Sequence, residues 1–332
     1  MKKLCTVLLF LFVSLAFAAT GERYKTNEGI LGQKEFTADN WRDNWTVIFS
    51  GQFDNDGIED IFFYDPTTGE AESYSTTPNG IKLINKYTGF RKTWKNILMF
   101  DYDGDSRDEI LFYDPANGVA EIYRFEGPSL KLVTSQTDWR KSWKTIVSVN
   151  VDGDLAREIL LYDYATGEAE LLDFAKDGKR KSLKVFKNWR KNWHQVKEVN
   201  LNHDQYSDIL FYDQDKGVGE FYSFTSDGGF KNIKTHNNWR KNWRTIVPGN
   251  YGSGRNNGDL LFYDPTNGDA EYYALKPDGT MSNYKNPNPK YRTGWDIILS
   301  GRFGHTANSG LLFYDSSKYI ENYQKIYGKK PY

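Results

Sequence analysis

Short apolar runs separated by polar turns recur along the whole chain. The clearest runs share one form, a carboxylate, three apolar residues and the pair Tyr-Asp, as in EILLYD at 158–163 and DILFYD at 208–213. Such uninterrupted apolar runs are typical of strands that are covered on both faces. A shorter apolar run precedes each of them, for example TIVSV at 145–149, and a turn rich in Asp, Asn and Gly separates the two. The pattern predicts an all-β protein built from repeated strand pairs.

Two more strands complete each repeat. The turn after Tyr-Asp has the form Asp-Pro-x-x-Gly at 65–69, 114–118 and 264–268, and a third strand follows it. A more polar fourth stretch, such as 130–137, ends the unit. In the last unit we expect the third strand to contain Glu321, and no fourth stretch follows it. Residues 22–40 resemble the outer half of a unit, so we expect them to complete the last blade and to close the ring.

An aromatic-Arg-x-x-Trp motif opens every unit and accounts for all ten tryptophans. The six copies start at 41, 90, 139, 189, 239 and 291, and successive motif arginines are 49, 49, 50, 50 and 52 residues apart. A period of this length is typical of propeller blades or of a solenoid. Four antiparallel strands in each of six units predict a six-bladed β-propeller whose ring is closed by the N-terminal segment.

Residues 1–18 have the features of a secretory signal peptide. Two lysines precede an apolar run from Val7 to Phe17, and Ala16-Phe17-Ala18 fits a cleavage site. The run is too short to span a bilayer and no second one follows, so we expect no transmembrane segment. The only cysteine, Cys5, lies in this segment. We therefore expect a secreted protein without disulfides, in which residues 19–332 form a single propeller domain. The net charge of −1 gives no reason to expect nucleic acid as a partner.

The motif supplies candidate binding residues on one rim. We expect its second aromatic, always Trp, to lie in the core. The first varies among Trp, Phe and Tyr beside Arg and Lys, which favours a partly exposed platform. An aromatic face, a guanidinium and a nearby carboxylate suit a sugar, and an interblade Arg–Asp ion pair is the alternative. The candidate carbohydrate-binding residues are Trp41, Arg42, Phe90, Arg91, Trp139, Arg140, Trp189, Arg190, Trp239, Arg240, Tyr291 and Arg292.

The turns between the first two strands of a unit are candidate cation sites on the opposite rim. Oxygen ligands at alternate positions of a tight loop, closed by a carboxylate, suit a hard cation such as Ca²⁺. The second unit has the fullest set, the third comes next, and Asn202, Asp204 and Asp208 of the fourth are the weakest. The alternative is that Asp and Asn only favour the turn. The candidate metal ligands are Asp54, Asp56, Asp60, Asp101, Asp103, Asp105, Glu109, Asn150, Asp152, Asp154 and Glu158.

These loops and strands resemble the FG-GAP/VCBS type of repeat. The string IVPGN at 246–250 followed by DLLFYD at 259–264 looks like the repeats of secreted bacterial and fungal propeller lectins of the Photorhabdus and Psathyrella velutina kind. The similarity extends over nearly the whole mature chain. It implies sugar sites between or beside blades and, in some members, Ca²⁺ in the aspartate loops. Those lectins have seven blades, whereas six units occur here, and Ser106 stands where a glycine usually follows the third acidic loop residue.

We therefore expect a secreted, multivalent carbohydrate-binding protein whose partners are glycans or glycoproteins. One alternative is an adhesion or polyanion-binding propeller, because Lys141, Lys191 and Lys241 lie in a basic arc suited to acidic polysaccharide. We do not expect an enzyme, since the four histidines are unevenly placed and no nucleophile or zinc motif occurs. A glycoside hydrolase is the least favoured alternative, because its carboxylate pair would occur once rather than in every unit.

Overall fold

The computed structural model describes residues 19–27, 30–225, 229–254, 256–284, 290–304 and 308–316. These residues form 24 strands, arranged as six four-stranded antiparallel sheets, and no helix. The six sheets are the blades of a β-propeller, so the predicted all-β, six-bladed fold is confirmed. Within these ranges no helix is long and apolar enough to cross a membrane. The predicted signal peptide at 1–18 lies outside the described residues, and its presence stays a prediction.

Five blades each take four consecutive strands. Blade one has β3 (Val47–Gly51), β4 (Asp60–Asp65), β5 (Glu70–Thr77) and β6 (Gly80–Tyr87). Blade two has β7 (Asn96–Phe100), β8 (Glu109–Asp114), β9 (Val119–Glu126) and β10 (Ser129–Gln136). Blade three has β11 (Thr145–Val149), β12 (Glu158–Asp163), β13 (Glu168–Phe174) and β14 (Arg180–Phe186). Blade four has β15 (Gln195–Val199), β16 (Asp208–Asp213), β17 (Val218–Phe224) and β18 (Phe230–His236). Blade five has β19 (Thr245–Gly249), β20 (Asp259–Tyr263), β21 (Ala270–Leu275) and β22 (Met281–Asn283).

Blade six joins the two ends of the chain. Its order is β23 (Ile297–Gly301), β24 (Gly310–Asp315), β1 (Ala19–Asn27) and β2 (Ile30–Trp41). Glu22 pairs with Phe313 in the same register as Glu220 with Phe211 in blade four. The expectation that Glu321 lies on the third strand of this unit is wrong, because β1 takes that position. Glu321 itself lies outside the described residues. The closure predicted for residues 22–40 is confirmed, and it pairs the outer edge of β24, which would otherwise be open.

The core lies between blades rather than inside one. The buried apolar residues form six clusters, and each cluster combines residues of two adjacent blades. The second tryptophan of every motif is only 1–5% exposed, as predicted. Each second strand is buried along its length, because neighbouring blades cover both of its faces.

Repeated hydrogen bonds tie each motif to the preceding blade. The hydroxyl at the end of each second strand donates to the carbonyl of the next motif arginine; the donors are Tyr64, Tyr113, Tyr162, Tyr212, Tyr263 and Tyr314. The N–H of Trp189 donates to the carbonyl of Gly167 at 2.9 Å. Gly167 has φ +77°, and a Cβ there would lie 2.3 Å from the Trp189 carbonyl oxygen. The turn therefore needs glycine for its backbone conformation and for the close approach of the motif.

The innermost strands surround a central channel. Each inner strand contacts the inner strands of both neighbouring blades, and β23 contacts β3 to complete the ring. One cavity of about 640 Å³ lies towards the acidic-loop rim, and a second of about 420 Å³ lies towards the motif rim. Lys197 lines both cavities, so it lies where the two halves of the channel meet.

Candidate functional site

Every motif arginine stacks on the second tryptophan of its own motif. The guanidinium carbon lies 3.8–5.4 Å from the indole centroid in all six copies. The guanidinium also pairs with carboxylates of the blade that the motif opens: Arg190 lies 2.8 Å from Asp213 and 2.6 Å from Glu220. Arg292 lies 2.7 Å from Asp315. The ion pair that the sequence left as an alternative is thus present, within a blade rather than between blades.

The first motif aromatics differ in how much surface they expose. Trp41, Phe90, Trp189 and Trp239 are half-buried. The expectation of an exposed platform is wrong for Trp139 and Tyr291, which are 4% and 9% exposed. Arg180 covers Trp139, with its guanidinium carbon 5.5 Å from the ring. Tyr291 is held in the core by a hydroxyl hydrogen bond with Tyr272.

Three equivalent cavities open beside half-buried motif aromatics. They lie in blades one, four and five and have volumes of about 150, 170 and 160 Å³. Each is lined by the first aromatic, the arginine and the second tryptophan of the motif, and by a phenylalanine of the second strand and a tyrosine of the third; in blade four these are Trp189, Arg190, Trp193, Phe211 and Tyr222. Blade three has Leu161 and Leu172 in place of the last two.

The blade-four cavity combines apolar walls with polar groups held in place. Phe230 adds a further wall, and its ring centroid lies 5.1 Å from that of Trp189. The Tyr222 hydroxyl donates to Glu220 at 2.8 Å, and Glu220 also pairs with Arg190. The arginine, carboxylate and phenol therefore form one connected group at the edge of an aromatic cavity. This arrangement can hold an apolar face and hydrogen-bond to hydroxyls at its rim.

The loops between the first two strands form the opposite rim. In blade two, an arginine side chain already pairs with the carboxylates of this loop. Asp101 accepts hydrogen bonds from the N–H groups of Gly104, Asp105 and Ser106, at 2.8–3.1 Å. Arg124, on the third strand, pairs with Asp103 and with Glu109, the latter at 2.8 Å. Burial raises the pKa of Glu109, and the ion pair with Arg124 opposes that rise.

The loops of blades two and three both gather three carboxylates, but only the blade-two loop has an arginine among them. Carboxylate oxygens lie within 4.8 Å of one another in each group, which is Asp101, Asp103 and Glu109 in blade two and Asp152, Asp154 and Glu158 in blade three. The third strand adds Asp173 at the position of Arg124 in blade two, one residue beyond the pairs Ile159–Leu172 and Ile110–Tyr123. Burial raises the pKa of Glu158 to about 7, and the charges of Asp152, Asp154 and Asp173 add to the rise. Among the described residues, no lysine or arginine forms an ion pair with any of these four.

The remaining predicted ligands are used differently. In blade one, burial raises the pKa of Asp60 to about 7, and Asp54 and Asp56 raise it further. The carboxylates of Asp54 and Asp56 accept hydrogen bonds from N–H groups of their own loop. The donors are the N–H groups of Asp56 and Ile58, at 3.2 and 2.8 Å. Asn150 likewise caps its loop, since its Oδ1 accepts from the Gly153 N–H at 2.8 Å.

Sequence reasoning missed two groups of residues. Asp173 was not predicted as a ligand because it lies on the third strand and not in the acidic loop. Only the register of the repeat could have placed it there. The second group is His194 with Asp213 and Asp215, which gather on the motif rim of blade four. His194 Nε2 lies 3.4 Å from Asp215, and no spacing motif indicates this cluster.

Comparisons with known proteins add little to this geometry. No family model matches the chain, and no curated protein matches it either. One similar solved structure is a candidate 6-phosphogluconolactonase from Bacteroides fragilis NCTC 9343. The identity is 10% and the TM-score 0.49, over 84% of this chain and 85% of that one. A similarity at this level gives no information on the substrate or the sites of this chain.

The expectation that the protein is not an enzyme has to be corrected. The Bacteroides fragilis chain is itself described as a candidate enzyme. The missing motifs exclude only the reactions that those motifs perform. Repetition of a carboxylate in every blade also leaves room for one copy to differ in environment.

Proposed function

We propose that this protein is a multivalent carbohydrate-binding protein. Its sites are the cavities of blades one, four and five beside Trp41, Trp189 and Trp239. The observation that supports this most is the recurrence of one aromatic cavity, of about 150–170 Å³, at the same position of three blades. A sugar ring would stack its C–H face on the first motif aromatic and present hydroxyls to the linked arginine, glutamate and tyrosine.

Several weak sites on one rim favour glycan surfaces as the partner. A shallow sugar site alone binds weakly, but sites presented together raise the avidity by roughly 10²–10⁴ without any new contact. The proposed partners are therefore glycans or glycoproteins outside the cell, in keeping with the signal peptide predicted at 1–18. The resemblance to secreted propeller lectins in the sequence supports the same function.

We propose in addition that Ca²⁺ binds to the loop of blade three. Asp152, Asp154, Glu158 and Asp173 offer the hard oxygen ligands that Ca²⁺ prefers. A cation would offset the mutual repulsion of these carboxylates. The blade-two loop is a poorer candidate despite its fuller sequence, because Arg124 supplies the positive charge there.

Polyanion binding remains the second candidate, and one observation favours it. Lys141, Lys144, Lys191 and Lys241 are exposed on the motif rim. The motif arginines add less positive charge than the sequence suggested, because each pairs with a carboxylate. A glycan array probed at two salt concentrations separates the two functions. Neutral-sugar binding should survive the higher salt, whereas polyanion binding should fade.

The decisive test compares the same substitution in two blades. Trp189→Phe replaces an aromatic wall of the blade-four cavity with a smaller ring. Trp139→Phe makes the same replacement at a covered residue of blade three. We expect Trp189→Phe to weaken glycan binding and Trp139→Phe to leave it unchanged, with circular dichroism confirming that both fold. The triple variant Trp41→Phe, Trp189→Phe and Trp239→Phe should lose agglutination. Equal effects in the two blades, or a wild type that binds no glycan, would exclude the proposed sites.

A further inference from the structure

One blade breaks the repeat inside the channel. Four residues after the second motif tryptophan, the inner strand carries an apolar side chain in five blades; these are Phe49, Leu98, Val147, Val247 and Leu299. In blade four this position is Lys197. Apolar residues here stabilise the contact between neighbouring inner strands, so a lysine works against the fold at this position.

Lys197 forms no ion pair with a described residue. Its backbone pairs with Leu210 of the second strand, and its side chain borders both cavities of the channel. No described carboxylate or hydrogen-bond acceptor pairs with its ammonium group. Desolvation lowers the pKa of Lys197, because enclosure disfavours the charged form. Lys197 is half-buried, and a bound anion would supply the partner that its ammonium group lacks among the described residues.

The two halves of the channel differ in charge. The half towards the acidic-loop rim is lined by three carboxylates, Glu59, Asp108 and Glu198, and by Arg157 and Arg302. Glu198 lies 3.1 Å from Arg157, and the charge of Arg302 opposes the rise that burial causes in the pKa of Glu59. The half towards the motif rim is lined by Lys95, Arg244 and Lys197, with Asp296 as its carboxylate. Its cavity of about 420 Å³ is large enough for a small organic molecule.

We propose that the motif-rim half of the central channel binds a small anion with a carboxylate or phosphate group, and that Lys197 is its anchoring cation. The anion enters past Lys95 and Arg244, whose charges attract it from solvent. Carboxylates and phosphates both form charge-assisted hydrogen bonds with an ammonium group. This site is separate from the rim cavities and does not depend on sugar binding there.

The test uses the full mature chain with inorganic phosphate and malonate as probes. Calorimetry and thermal melts are run against sodium chloride of equal ionic strength, so that general screening cancels. We expect saturable binding of at least one probe, which then identifies the ligand as a phosphate or a carboxylate. Lys197→Met should weaken that binding roughly tenfold or more, because it removes a charge-assisted hydrogen bond.

A second variant and a control keep the result unambiguous. Lys197→Leu copies blades two and six, and it should melt higher than wild type without the anion but gain nothing from it. Lys92→Met removes an exposed lysine of the same rim outside the cavity, and it should bind the probe as wild type does. Wild type that binds neither probe, or Lys197→Met that binds as well as wild type, would overturn the proposal.

Discussion

The acidic loops of blades two and three begin from similar sequences and reach opposite charge balances. In blade two, Arg124 lies between Asp103 and Glu109. In blade three, Asp173 stands at the position of Arg124, and its charge raises the pKa of Asp154 and of Glu158. One loop is neutralised by the protein itself. The other gathers carboxylates that repel one another, with no described lysine or arginine paired to them.

The difference shows that a residue of the third strand, rather than the loop itself, sets the charge balance of each loop. The residue opposite the closing glutamate is Arg in blade two and Asp in blade three. Ser223 takes this position in blade four, where its hydroxyl donates to Asp208. A single cross-strand position therefore changes a loop from a closed ion pair to a candidate cation site.

The largest effect is expected when blade two loses its internal cation. Arg124→Ala leaves Glu109 buried without a partner, and breaking such a pair from one side costs about 3 kcal/mol or more. We expect urea unfolding in the presence of a chelator to show a loss of this size. Arg107→Ala, an exposed arginine of the same loop, should change the stability by less than about 0.5 kcal/mol. Similar losses in both variants would mean that Arg124 does not neutralise the loop.

The fold could be predicted because it depends on short-range patterns. Apolar second strands and the spacing of the motif arginines gave six blades, and the leftover segment 22–40 gave the closure. Glu321 was assigned to the third strand of blade six because the N-terminal segment and the segment around Glu321 have similar strand patterns. Register decides between them: β1 pairs with β24 and puts Glu22 where the other blades have their glutamate.

The sites could be predicted only in part, because they depend on contacts between distant segments. The motif predicted that the second tryptophans lie in the core. The exposure of the first aromatic depends on the side chains that pack around it. Arg180 covers Trp139, whereas Trp189 borders an open cavity. Lys197 stands out as an exception only after the repeats are aligned, since a lysine in a strand does not by itself indicate a site.

The next effect concerns calcium in blade three. A ligand that binds only the folded state at a hundredfold excess over Kd stabilises it by about 2.7 kcal/mol. We expect Ca²⁺ to raise the unfolding free energy of wild type by up to that amount over chelator. Asp173→Arg should abolish the Ca²⁺ effect and raise the stability in chelator, because it copies Arg124.

Two controls show whether blade three is responsible. Asp177→Asn changes an exposed aspartate near the same strand and should keep the Ca²⁺ effect. Asp103→Asn in blade two should also keep it. A Ca²⁺ effect that survives Asp173→Arg but disappears in Asp103→Asn would move the site to blade two.

The smallest effect is the pH dependence of blade three without metal. The pKa of Glu158 is raised to about 7 in the folded protein, above its ordinary value of 4.5, so the folded state holds this proton more tightly than the unfolded state. Its contribution to stability is therefore present at low pH and is lost as the pH rises through 7. Between pH 6 and pH 8, in chelator, wild type should lose on the order of 1 kcal/mol more than Glu158→Gln, which cannot titrate there. The comparison with this variant removes the parallel contributions of Glu59 and Asp60, whose pKa values are also raised to about 7.

Ca²⁺ should reverse the trend, because it binds the ionised carboxylates and so stabilises the protein more at pH 8 than at pH 6. Urea unfolding at the two pH values measures both slopes, and parallel slopes for wild type and Glu158→Gln would show that the four carboxylates do not interact as the structure indicates.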